Sequence, residues 1–91
     1  MTLGTDEERK RINNRLRRAH GQLGAVITAM ETGADCRAIV TQLAAVSSAL
    51  DRAGFAIIST TMQDCLAAPE GKNAKDGTTP EELEKLFMML A

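Results

Sequence analysis

The chain has 91 residues, 44 % of them hydrophobic but with only two aromatics, and a formal net charge of −1. That length supports one domain, residues 1–91, with a modest aliphatic and alanine-rich core, which suits helices and completion by oligomerisation. The lack of an 18-residue apolar stretch, a leader pattern or a lipidation motif predicts a cytoplasmic protein with no membrane partner, and so few aromatics exclude a stacking platform for single-stranded nucleic acid.

A first helix is expected from about Thr5. Thr5 followed by Glu8 is a capping-box pattern, and Asp6, Glu7 and Glu8 suit the positive end of the helix dipole. Apolar Ile12, Leu16, Leu23, Val26, Ile27 and Met30 recur at helical spacing. Another face carries Arg11, Arg15, Arg18 and Gln22 at steps of four, three and four. Residues 9–18 hold Arg9, Lys10, Arg11, Arg15, Arg17 and Arg18 with no acid among them. Such a block fits either a local anionic partner or a solvated helix face. Gly21 and Gly24 each cost about 1 kcal/mol relative to alanine, which points to close packing against a neighbouring helix. Gly33 reads as the stop.

Asp35 is a plausible N-cap for a second helix, which meets no proline before about Leu66. One stripe of it carries Cys36, Val40, Leu43, Ser47, Leu50, Gly54, Ile57, Thr61 and Cys65 at steps of three and four. At 1.5 Å rise per residue the two cysteines lie about 43 Å apart on one helix. They cannot meet within that helix, but can if two such helices pair antiparallel, placing Cys36 of one subunit beside Cys65 of another. Small residues Ser47, Ala53 and Gly54 would let the paired backbones approach. Residues 67–79 read as a polar linker. Thr79-Pro80-Glu81-Glu82 then starts a third helix over 80–90, with Leu83, Leu86, Phe87 and Leu90 on its apolar face. A helix this short must dock to be stable.

Little here resembles an enzyme. His20 is the sole histidine, and neither a C-x-x-C pair nor a Cys–His spacing exists to support a thiol oxidoreductase. The plain reading of a free cysteine is a small buried hydrophobe. Two cysteines at opposite ends of one stripe favour thiol sensing or metal ligation instead. Cys36 also falls in the first helical turn, where the dipole attracts an anionic sulfur. For the basic face, duplex DNA is a better match than an anionic membrane, because the first helix lacks Trp and Phe anchors.

The strings RLRRAHGQLGAV (15–26), DCRAIVTQLAAVSSALDRAGF (35–55) and Cys65-Leu66 resemble the copper-sensing operon repressor (CsoR) family. The resemblance implies an all-α fold of three helices, antiparallel dimers and a disc-like dimer of dimers. It implies a repressor that leaves duplex operator DNA when an inducer binds. Arg15 and Arg52, with Arg11 and Arg18, would contact that DNA. Copper-sensing members hold Cu(I) with Cys, His and Cys. Here Cys36 and Cys65 match the thiolates, Thr61 stands at the histidine position, and His20 matches no ligand. A hydroxyl is a poor ligand for soft Cu(I). The pattern is similar to the persulfide-sensing (CstR) branch, in which paired cysteines become bridged by sulfur. The expected function is therefore a repressor sensing reactive sulfur species through Cys36 and Cys65, without a cofactor. The alternatives are a Cu(I) sensor using the same thiolates, and a structural helical oligomerisation module with no DNA role.

Overall fold

The computed structural model describes residues 4–67 and 77–91, and these form helices only. Helix α1 spans Asp6–Glu31, α2 spans Cys36–Ala67 and α3 spans Pro80–Leu90. The expected linker at 67–79 lies partly outside the described residues. Ala67 closes α2, and residues 77–79 are non-helical.

Each helix begins where local side-chain chemistry places it. Glu8 N–H donates to Thr5 Oγ1 at 3.1 Å while Thr5 N–H donates to Glu8 Oε1 at 3.0 Å. This reciprocal pair satisfies two amides that the helix itself leaves open. Asp35 Oδ1 accepts from Ala38 N–H at 2.8 Å and caps α2. Thr79 and Glu82 repeat the capping box on α3, with Pro80 in the first turn. Helix α1 stops at a left-handed Gly33 with φ of 76°. There Gly33 N–H reaches Met30 O and Ala34 N–H reaches Ala29 O, the doubled closure of a glycine-terminated helix.

The short turn after α1 folds α2 back alongside it. Buried positions recur every seven residues on both helices: Ile12, Ala19 and Val26 on α1, and Val46, Ala53 and Thr60 on α2. A seven-residue repeat keeps one side of each helix facing its neighbour along the whole pair. Ala19 and Ala53, at 1 % and 0 % exposure, let the backbones come close at mid-length. At the far end Gly4 closes the pair. Its φ is +56°, its N–H donates to Asp64 Oδ2 at 3.1 Å, and a Cβ there would lie 2.5 Å from Thr60 Cγ2. Helix α3 packs on the C-terminal half of α2 through buried Leu83. The side chain of Leu90 lies over Gly54, where an added Cβ would stand 3.2 Å from Leu90 Cδ1.

Three packing expectations need correction. Gly21 and Gly24 pack against nothing within this chain: a Cβ on either would meet no atom within 4 Å. Ala53 and Gly54 are enclosed by elements of their own chain, Ala53 on the side facing α1 and Gly54 under α3. The apolar stripe of α1 also divides. Ile12 and Val26 are buried, whereas Leu16, Leu23, Ile27 and Met30 are 37–63 % exposed. The physical reason is thickness. The molecule measures 56 × 25 × 13 Å, close to one layer of helices, so a helix can bury only one side of itself.

Candidate functional site

The two thiols lie at opposite ends of the unbroken α2 and in different surroundings. Cys36 is the first helical residue and is exposed. Cys65 is half-buried, and its S–H donates to Thr78 O at 3.8 Å, just ahead of α3. Beside Cys65 an apolar groove of about 400 Å³ runs between α2 and α3, walled by Met62, Leu66, Leu83 and Phe87. Within one chain the structure does not bring the two cysteines together.

Thr61, one helical turn before Cys65, is buried, and its Oγ1 donates to Ile57 O at 3.0 Å. That bond turns the hydroxyl back onto its own helix. The donor set available to Cu(I) is therefore two thiolates and an inward-bonded hydroxyl. His20 is exposed on α1 and belongs to neither cysteine's surroundings.

The arginines separate more sharply than their spacing implies. Arg15 and Arg18 of α1 share one groove with Arg52 of α2. The groove has a volume of about 340 Å³ and a floor of Ala45, Ser48 and Ala49. Small floor residues leave room for three guanidinium groups above them. Arg15 and Arg52 also border the adjoining hollow that holds Asp51, Phe55 and Ser59. None of the three arginines makes an ion pair among the described residues, where Arg9 with Asp6 is the one salt bridge. Converging guanidinium groups without a carboxylate partner create a local positive field despite the near-neutral chain. Arg11 is exposed on the same row of α1 but does not line this groove.

Three residues to which the sequence reading gave no role join the picture. Gln22 also lines the arginine groove, and its Oε1 is buried with no hydrogen-bond partner among the described residues. An amide oxygen in that state costs about 1–3 kcal/mol. Its place on the arginine row was a usable signal. Asp64 holds the start of the chain's first helix through Gly4, and Thr78 accepts from Cys65; neither contact has a sequence signature.

Among the described residues, three helices, an arginine groove without an ion pair and a thiol at each end of the longest helix define an all-helical protein with a basic groove. Residues 8–90 match the family model described as metal-sensitive transcriptional repressor, and the chain belongs to that family. Its members are transcriptional repressors rather than enzymes. The chain is 36 % identical over 64 residues to the copper-sensing transcriptional repressor CsoR of Mycobacterium ulcerans (strain Agy99), covering 70 % of this chain and 54 % of that protein. It is 54 % identical over 37 residues to the uncharacterized protein YrkD of Bacillus subtilis (strain 168), covering 41 % of this chain and 59 % of that one. The matches thus span less than two-thirds of these curated relatives' length. Among solved structures it is similar to a variant of the formaldehyde-responsive regulator FrmR from Salmonella enterica serovar Typhimurium. That similarity has a TM-score of 0.68 at 31 % identity and covers 94 % of this chain and 89 % of the other. No helix among the described residues is long and apolar enough to cross a membrane.

Proposed function

We propose that this chain is a single-domain, cytoplasmic, DNA-binding repressor that senses reactive sulfur species through Cys36 and Cys65 of a partner subunit. The observation that carries the reading is that α2 bears both thiols and also Arg52, one wall of the arginine groove. Along the helix axis Arg52 lies about 24 Å from Cys36 and about 20 Å from Cys65. A bond made at both ends of α2 therefore acts on the same rigid rod that positions Arg52 against Arg15 and Arg18. Duplex operator DNA is the partner that fits, with Arg15, Arg18 and Arg52 on phosphates and Arg11 adding a contact along α1.

The sensing thiols require a second subunit. Val40, Leu43 and Leu50 are 48–56 % exposed on α2, an apolar stripe that water disfavours and an antiparallel copy of α2 would cover. Exposed apolar residues on α1 and α3 support further assembly into a dimer of dimers. The chemistry balances without a cofactor. The Cys36 thiolate attacks a sulfane sulfur of polysulfide and displaces a shorter polysulfide or hydrosulfide, leaving a persulfide on Cys36. The Cys65 thiolate of the partner subunit then attacks that persulfide and expels hydrosulfide. The polysulfide is the oxidant and is reduced to hydrosulfide, while the two thiols are joined by a direct disulfide; where the first attack leaves a Cys36–S–S–SH chain instead, attack on its middle sulfur expels hydrosulfide and joins the thiols through one retained sulfur atom.

Thr61 weighs against Cu(I), because its hydroxyl is both a hard donor and already bonded to Ile57 O. The test is to treat the DNA-bound protein with polysulfide, Cu(I) and formaldehyde in parallel while following DNA release and intact mass. Polysulfide is expected to release DNA with sulfur added at the cysteines. Changing Thr61→His is expected to raise Cu(I) affinity by restoring a nitrogen ligand. Release by Cu(I) alone, with no cysteine modification by polysulfide, contradicts the sulfur reading.

A further inference from the structure

Charge does not account for every side chain of the arginine groove. Gln22 follows Arg11, Arg15 and Arg18 along one side of α1 and shares a concave surface with Arg15, Arg18 and Arg52. It is half-buried, and its amide oxygen meets no donor among the described residues. The oxygen is out of reach of solvent as the side chain stands and makes no bond there, so turning Gln22 outward to a partner outside the chain breaks none. The groove floor opposite is made of Ala45, Ser48 and Ala49, which bring no competing charge.

The chemistry of that partner follows from the side chain. A guanidinium is satisfied by any phosphate, so phosphate contacts by the three arginines carry affinity without sequence information. A carboxamide gains little from a bare negative charge. It offers an acceptor and a donor side by side, and rotation about its last torsion exchanges them. That pair is complementary to the adenine N6 and N7 edge exposed in the DNA major groove. We propose that Gln22 is a sequence-determining residue of the DNA face, pairing with a purine edge while Arg15, Arg18 and Arg52 hold flanking phosphates. This assignment rests on the groove being the DNA-binding surface.

The test is selection of binding sites from a random duplex library by the wild-type protein and by Gln22→Met, Gln22→Ala and Arg15→Ala. A fixed-sequence duplex titrated over a salt series accompanies it. Both Gln22 variants are expected to keep the wild-type salt dependence on the fixed duplex, because no phosphate contact is lost. They are expected to lose preference at one or two adjacent base pairs by about tenfold or more, leaving the rest of the site intact. Arg15→Ala is expected to weaken binding on every sequence and to flatten the salt dependence. A selected site identical to wild type for both Gln22 variants overturns the assignment alone. A uniform loss on all sequences also overturns it, because Gln22 would then act only on packing or charge. Failure of the wild-type protein to enrich any site or to show salt-dependent binding overturns the DNA reading and this assignment together.

Discussion

The two halves of α2 carry the same spacing of residues but are packed differently. From Cys36 to Leu50 the stripe is open: Cys36, Val40, Leu43 and Leu50 are all exposed. From Gly54 to Cys65 it is enclosed, with Leu90 over Gly54, Thr61 buried and Cys65 bonded to Thr78 O. An even stripe has become one free end and one supported end. The two thiols are therefore not equivalent. Cys36 is open to solvent, while Cys65 is half-buried and bonded to Thr78, just ahead of α3.

The largest effect should come from breaking the open half. Leu50→Glu would place a carboxylate beside its two-fold mate in the proposed seam, at a cost of several kcal/mol. Sedimentation should then show a helical monomer at concentrations where the wild type is assembled. An unchanged oligomer would move the interface away from this stripe. The enclosed half is sharpened by Gly4→Ala. Its positive φ costs about 1–2 kcal/mol for a residue with a Cβ, and that Cβ would meet Thr60 Cγ2. Denaturant unfolding should show a loss of at least that size without a change of assembly. The smallest effect is expected at Gly54→Ala. The new methyl meets only the end of Leu90, a flexible side chain that is 57 % exposed, and alanine gains about 1 kcal/mol of helix propensity over glycine. Stability should stay within about 1 kcal/mol of wild type, since contact and propensity oppose one another. Dissociation of the oligomer by this substitution would mean that a partner backbone, not α3, uses Gly54.

Much of the fold was legible because its signals are local. Thr5 with Glu8, Asp35 with Ala38 and Thr79 with Glu82 are contacts across three residues, and each lies where its cap motif places it. The unbroken α2 follows from 32 residues without proline. Contacts between distant residues were not legible. Gly4 and Asp64 are 60 positions apart, and no periodicity links Cys65 to Thr78. Spacing finds a helix face but not the element that covers it, which is why the α1 stripe split and why Ala53 and Gly54 were enclosed by their own chain. The cost of a mid-helix glycine likewise does not say whether a neighbour is close, and at Gly21 and Gly24 none is. The arginine row along α1 was readable, but its convergence with Arg52 needed the antiparallel pairing of α1 and α2.

The central claim is that Cys36 of one subunit is joined to Cys65 of another and that this bridge releases DNA. The most direct measurement is peptide-level mass spectrometry, under non-reducing conditions, of the polysulfide-treated wild type and of Cys36→Ser. DNA affinity is followed on the same samples. The account predicts a covalent dimer whose cross-linked peptides contain Cys36 and Cys65, with DNA released in proportion to the cross-link. It predicts that Cys36→Ser binds DNA, forms no cross-link and does not respond. DNA release from wild type with both cysteines unmodified, or an equal response from Cys36→Ser, would contradict it.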